Sequence, residues 1–346
     1  MKRPLPMEIH GAGVAGMGLA VLLSSRGIPV KIIDRSTGPQ HRVCGEFMRG
    51  LNSQLIDQYE LSSILHEAPQ HRKVAWFFED KSLLQFDLPE AVYSVGRPSL
   101  ERYLKKRCEE SGVEFVFNER GIPKNEGTVI ATGRRRTFDS PWFGFKIHVR
   151  NIALRSDLEM HLSPCGYVGL STIEKGWVNV SGIFKSGSIE TEGLKKGNLP
   201  IHRMQALLTR MGFARLSDRL EEAVAEPESL KSTSGIVFGF QKSKSIELAI
   251  GDAFAFIPPF SGSGMAMALQ GAQIAARVIE RYSRGEEAWE KVCREVRREL
   301  KNRFSKKIFF AQAFHYLMSS SQFQPSLVKI ARSGLLPIKP ILWGIS

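Results

Sequence analysis

Six residues near the N-terminus, Gly11-Ala12-Gly13-Val14-Ala15-Gly16, have the spacing of a phosphate-binding turn. In such a turn Gly11 permits the tight bend, Gly13 lets backbone approach a pyrophosphate, and Gly16 allows a helix to pack closely on a strand. The helix start, at Val14 and Ala15, adds free N–H groups and positive dipole character toward the phosphates. Asp34 lies 23 residues after Gly11, where a carboxylate can accept hydrogen bonds from a ribose, and Arg35 follows it. A dinucleotide is the ligand this pattern implies.

A second constellation lies far along the chain. Gly251-Asp252-Ala253 is followed by Pro258-Pro259-Phe260-Ser261-Gly262-Ser263-Gly264-Met265. An aspartate after a strand can bind a sugar or ribityl hydroxyl, and the glycine-rich turn can bring N–H groups against a flat ring. The helix start beyond it favours negative charge developing on that ring.

The elements that must position these residues can be read from the same pattern. Met7–His10, a helix over Met17–Ser25 stopped by Gly27, and Val30–Ile33 form a βαβ unit with both strands in one parallel sheet. A helix is expected from about Leu51 to Leu65, then strands at Lys73–Phe78 and Ser82–Phe86 around a turn at Glu79–Lys81. Ser99–Glu110 reads as a basic amphipathic helix leading to strands at Val113–Phe117 and Thr128–Ala131. From Gly144 to Phe184 short strands and turns indicate antiparallel sheet. A polar stretch, Lys185–Asn198, precedes a helix near Ile201–Thr209, a strand at Ile246–Ile250 and a small-residue helix at Ser263–Tyr282. The fold class expected is α/β: a Rossmann-like dinucleotide domain built from 1–70, 96–135 and 246–285. It is interleaved with a mainly antiparallel substrate domain from 71–95 and 136–245, and a helical segment, 286–346, closes the chain.

Composition narrows the partners. The chain of 346 residues carries a net charge of +13, which favours anionic partners. From Arg281 onward there are 13 basic and 5 acidic residues, and none acidic after Glu299. Phe304, Ile308, Phe309, Phe310, Phe314 and Leu317 at helical spacing read as core packing, and the charge of this tail reads either as a solvated helix face or as a contact with anionic membrane. Four dispersed cysteines exclude a disulfide framework and a structural zinc, and no metal is expected. The N-terminus lacks a signal-peptide core and no run of 18 apolar residues occurs, so the expected location is the cytoplasm, with peripheral membrane association through the tail as a variant. No zinc finger, RNA-binding motif or recognition helix is found, so nucleic acid is not expected.

The two motifs, in this order, resemble those of FAD-dependent monooxygenases of the para-hydroxybenzoate hydroxylase type and the related geranylgeranyl reductases. Further segments sharpen the resemblance. Arg42-Val43-Cys44-Gly45-Glu46-Phe47 is similar to the Lys/Arg-x-Cys-Gly segment of the reductase branch. Val95-Gly96-Arg97-Pro98 is similar to the stretch whose arginine approaches FAD, Ala131-Thr132-Gly133-Arg134 to the turn that closes over it, and Gly166–Leu170 with Val178–Val180 to a substrate-domain hairpin. The resemblance implies FAD held by Gly11, Gly13, Val14, Ala15, Gly16, Asp34, Arg35, Arg42, Arg97, Thr132, Gly133, Gly251 and Asp252. Pro258, Gly262, Ser263, Gly264 and Met265 would lie at the flavin ring, and Cys44 on its substrate side. Cys44 and Glu46 are the candidate catalytic residues; as an acid, Glu46 would need burial to keep its proton. His148 and His161 read as structural.

Where monooxygenases carry Asp-Gly, this chain has Thr132-Gly133, which bears on direct use of NAD(P)H, the candidate electron donor. The Trp-x-Trp-x-Ile-Pro motif of flavin halogenases is missing, so halogenation is not expected. The leading expectation is reduction of a carbon–carbon double bond in an apolar isoprenoid or polyketide. The alternative is hydroxylation of an aromatic or polyketide substrate by a monooxygenase, and a more remote one is a basic binding protein without catalysis.

Overall fold

The computed structural model describes residues 3–122, 126–135, 137–185, 199–242, 247–320, 322–337, 340 and 344. Most of the polar stretch at 185–198 and the start of the expected strand at 246 lie outside these residues.

The βαβ unit forms as its pattern requires. Met7–His10 pairs in parallel with Val30–Asp34, Met7 opposite Val30, and the helix Val14–Ser24 crosses between them. Ten of that helix's residues, Val14–Leu23, are buried, because it is packed by other elements on several sides. The sheet grows to five parallel strands in the order Leu248–Ala249, Thr128–Ile130, Met7–His10, Val30–Asp34, Glu114–Phe117. The small-residue helix Gly264–Ser283 and the helix Arg97–Glu110 pack against Val14–Ser24. Small residues on both helices allow that close approach; a Cβ on Gly18, in Val14–Ser24, would sit 3.1 Å from Leu269 of Gly264–Ser283.

The second sheet has nine strands, and the five longest, besides Leu158–Ser163, are Gln70–Phe78, Lys81–Ser94, Trp142–Arg150, Gly166–Thr172 and Val178–Lys185. It is antiparallel apart from one junction, where Val74–Phe78 runs parallel to Leu158–Leu162. A second core, centred on Ile147, Val180, Leu207 and Leu208, lies between this sheet and the helix Pro200–Arg210. The chain closes with a helix of 31 residues, Trp289–Ser319, and a shorter one, Gln324–Arg332.

Two expectations need correction. The helix read over Leu51–Leu65 is two short ones, Ser53–Gln58 and Ser62–His66, because Glu60 adopts a left-handed backbone (φ 52°) between them. The strand read as Ser82–Phe86 runs on to Ser94. Its second half alternates polar and apolar positions too loosely, and across Pro89, for sequence to mark it as strand.

Candidate functional site

The first turn is fixed by close contacts. Gly11 has φ +114°, and a Cβ there would stand 2.3 Å from the Ala131 carbonyl oxygen; one on Gly16 would be 1.9 Å from the Gly11 oxygen. Gly13 differs. A Cβ there meets nothing nearer than the Arg97 side chain at 3.7 Å, so the folded chain itself does not demand glycine at this position. The Ala12 amide donates to Asp34 Oδ2 at 2.7 Å, and Ser36 donates to Oδ1 from its amide (2.7 Å) and hydroxyl (2.6 Å). Burial raises the Asp34 pKa, but these bonds and the nearby Arg42 charge outweigh it and hold the group ionised below its ordinary range.

Gly13, Val14 and Ala15 open into a cavity of about 740 Å³ whose other walls are Arg97, Gly133, Asp252, Gly262, Gly264 and Met265. A groove of about 1070 Å³ continues from it past Arg35, Arg42, Thr132 and Arg134. The two N-terminal stretches and the distant 251–265 stretch therefore meet in one place. Asp252 borders both spaces and has no hydrogen bond among the described residues. Burial raises its pKa, while Arg97, Arg134 and Arg42 pull the other way. The Arg42 Nε is likewise buried with no hydrogen-bond partner. A carboxylate without a donor, a buried guanidinium nitrogen without an acceptor and a glycine the fold itself does not require are what a dinucleotide with hydroxyls and phosphates would complete.

Gly11, Gly16, Asp34, Gly251, Pro258 and Ser263 do not line the 740 Å³ cavity. They shape it. The Pro258 oxygen accepts from the Ser261 hydroxyl at 2.9 Å, and the Ser263 oxygen accepts the Met267 amide at 2.8 Å as the long helix begins. Gly262 takes φ +63°, and a Cβ on it would fall 2.0 Å from the Phe47 ring.

Val43, Cys44, Gly45 and Phe47 form a wall shared with a further cavity of about 950 Å³, lined by Trp76, Phe86, Met160, Leu170, Phe260 and Phe314 among others. Asn179 Nδ2 straps this wall to the antiparallel sheet, donating to the carbonyls of Cys44 and Gly45 at 3.0 Å each, and Ser171 Oγ donates to Gly45 at 3.2 Å. Burial pushes the Cys44 thiol up, against the pull of Arg97, so it stays protonated at neutral pH.

Glu46 is fully buried, as an acid that keeps its proton would have to be, yet its surroundings give the opposite result. Its Oε1 accepts the Arg97 amide at 2.9 Å and contacts the Lys146 ammonium; its Oε2 lies 2.5 Å from His148 Nε2. Burial alone would raise its pKa, but Lys146 and His148 bring it down to about 2. It is a carboxylate and holds no proton to give. Glu46 also carries a left-handed backbone (φ 56°), a strained state for a non-glycine residue, fastened by its oxygen to the Val95 amide at 3.0 Å. His148 passes on through Nδ1 to Glu226 at 3.0 Å, and His41 lies beside both. His148 is thus part of the site's support. His161 is structural, bonded to Glu159 at 2.8 Å and stacked on Phe77.

Sequence reasoning missed Lys146, Asn179 and Ser171. The signal for Lys146 and His148 was available, since they alternate with Phe145, Ile147 and Val149 and so share one face of a strand.

Comparison with known proteins follows this geometry. Residues 6–139 match the FAD binding domain family. No curated protein sequence matches the chain. Among solved structures, PqsL from P. aeruginosa in complex with 2-aminobenzoylacetate superimposes with a TM-score of 0.72 at 14% identity, over 94% of this chain and 99% of that one. The myxobacterial chondrochloren halogenase CndH gives 0.73 at 17%, over 98% and 92%. FqzB gives 0.74 at 14%, over 99% and 92%. These likenesses establish the shared fold over nearly the whole chain. With an FAD binding domain at its N-terminus and that fold around it, the chain is an FAD-dependent oxidoreductase.

Proposed function

We propose that the protein is a monooxygenase that hydroxylates an apolar, aromatic or polyketide substrate held in the cavity beside the flavin. The observation that carries this reading is the chemistry of that cavity's titratable groups. Cys44 and Tyr167 are pushed up by burial, and Glu159 is held down to about 2 against its own desolvation by His161 and Arg219. Glu46, in the neighbouring wall, is a carboxylate. Saturating a carbon–carbon double bond requires a proton at carbon as well as a hydride; the two carboxylates are ionised and hold none, and burial makes the Cys44 thiol and the Tyr167 hydroxyl weaker acids than usual. Hydroxylation asks less of the protein: a dry, shaped cavity that holds the substrate against the cofactor and keeps water out. The reading is supported further by PqsL, described as a probable FAD-dependent monooxygenase.

FAD, when bound, supplies the redox chemistry, carrying electrons to oxygen. In this reading the turn from Gly11 to Gly16 receives the pyrophosphate, Arg42 and Arg97 balance its charge, Asp34 takes the adenosine ribose and Asp252 a ribityl hydroxyl. Gly45, Gly262 and Gly264 let backbone approach the ring. Cys44 and Phe47 separate ring from substrate and fix its angle of approach, while Asn179 and Ser171 keep that wall in place. NAD(P)H is the donor to assay first.

The test is turnover of the purified holoprotein with aromatic and polyketide substrates under labelled oxygen gas. Substrate-stimulated oxygen uptake with label in the product is expected. Anaerobic reoxidation of photoreduced flavin by an alkene, with the saturated product recovered, would overturn the proposal in favour of double-bond reduction.

A further inference from the structure

The helix Trp289–Ser319 has two faces with different surroundings. Phe304, Ile308, Ala311, Phe314 and Met318 are buried, and Phe314 lines the apolar cavity. On the other side, at helical spacing, stand Lys306, Phe309, Ala313, Tyr316 and Leu317, all exposed. Phe309 is 67% exposed and Tyr316 58%. The Tyr316 ring meets Phe323 at 5.8 Å, which carries the surface onto the next helix, where Ile330 and then Leu335 are exposed beside Lys329 and Arg332. A run of bare aromatic and aliphatic side chains this dense is unusual on a soluble surface. The cations around it are Lys301, Arg303, Lys306, Lys329 and Arg332, and no acidic residue follows Glu299.

We infer that this surface docks on an anionic lipid bilayer, with Phe309, Tyr316, Leu317 and Ile330 in the headgroup–acyl boundary and the lysines and arginines against the lipid phosphates. The chemistry selects this occupant. A helix lying in the interface plane needs an apolar face flanked by cations, and this pair of helices supplies both. A second copy of the chain fits poorly, because in a two-fold dimer the surface meets itself and Lys306, Lys329 and Arg332 would face like charges. None of the described helices is long and apolar enough to cross a membrane, so contact is peripheral. Phe314 lies across the same helix, so docking sets the substrate cavity within about one helix diameter, roughly 10 Å, of the bilayer surface. That last step rests on the apolar-substrate reading above; the docking itself does not.

The experiment is co-sedimentation of the purified holoprotein, without substrate, with vesicles of phosphatidylcholine alone and with about one third phosphatidylglycerol. Binding to the anionic vesicles at least tenfold tighter than to the neutral ones is expected, with release at high salt. Phe309→Ser with Leu317→Ser, and separately Lys306→Glu with Lys329→Glu, should each weaken it about tenfold while flavin content and far-ultraviolet circular dichroism stay unchanged. No binding to anionic vesicles overturns the inference, as does binding that both pairs of substitutions leave intact. Concentration-dependent dimerisation abolished by the first pair would assign the surface to a second copy instead. If a variant fails to fold, the salt and lipid comparisons on the unmodified chain still decide. Lipid binding without monooxygenase turnover would leave docking standing and remove only the substrate reading.

Discussion

His148 Nε2 lies 2.5 Å from Glu46 Oε2, joining residues 102 apart in the chain. The pair ties the Val43–Phe47 wall of the 740 Å³ cavity to the antiparallel sheet, and Lys146 completes it. Lys146→Met should therefore leave a buried carboxylate short of its cation and cost about 3–5 kcal/mol in urea unfolding. The pH dependence has a definite sign. Glu46 has a depressed pKa in the folded state, so its stabilising contribution is complete above its unfolded value of 4.5 and is lost as pH falls toward 2. Replacing Glu46 and Lys146 together with apolar residues should flatten that part of the stability curve.

His315 gives a second acid-sensitive element at higher pH. Neither ring nitrogen has a hydrogen-bond partner, and the ring is enclosed by Trp142, Tyr167 and Phe238. Burial lowers its pKa from 6.5 to about 4. The unfolded chain then binds a proton that the folded one refuses, so stability falls as pH drops below 6.5 and levels off near 4. The loss should reach about 3 kcal/mol. His315→Leu should abolish this slope and raise the melting temperature at pH 5.

Gly13 and Gly16 should respond oppositely to alanine. At Gly16 the new methyl would collide with backbone, 1.9 Å from the Gly11 oxygen, so Gly16→Ala should lower the melting temperature of the flavin-free protein. At Gly13 the folded chain has room, so Gly13→Ala should melt normally without FAD yet bind it about tenfold or more weakly, ~1.4 kcal/mol. Equal effects of the two substitutions on the flavin-free melting temperature would contradict the assignment of Gly13 to cofactor approach.

Asp252→Asn should separate folding from binding. Burial raises the Asp252 pKa, so its charge destabilises the flavin-free chain increasingly as pH rises through 3.8 toward the folded value. The asparagine variant should be more stable than the parent at pH 7 without FAD. It should also hold FAD less tightly, which flavin fluorescence on dilution would report.

The turn from Gly11 to Gly16 was legible because its constraints are local: a bend, a close helix–strand approach and a helix start favour glycines at fixed spacing. The Asp252 stretch was legible for the same reason. What escaped the reading depends on pairings that no local signal marks. The parallel junction between Val74–Phe78 and Leu158–Leu162 has no turn to announce it. Lys146 carries no local mark of burial, because the alternation around it shows which residues share a face but not that both faces are covered. Glu46 stood out in the sequence as a candidate acid, but whether it keeps a proton was not legible, since the partners that ionise it arrive from a strand 100 residues on.

The 740 Å³ cavity is assembled from Gly13 near the start of the chain and from Asp252, Gly262 and Met265 some 240 residues or more further on. During synthesis, then, a nascent chain that has completed residues 6–139 still lacks one side of the site. In that order of synthesis, ligand capture waits for residues up to Met265 and so comes late in biogenesis.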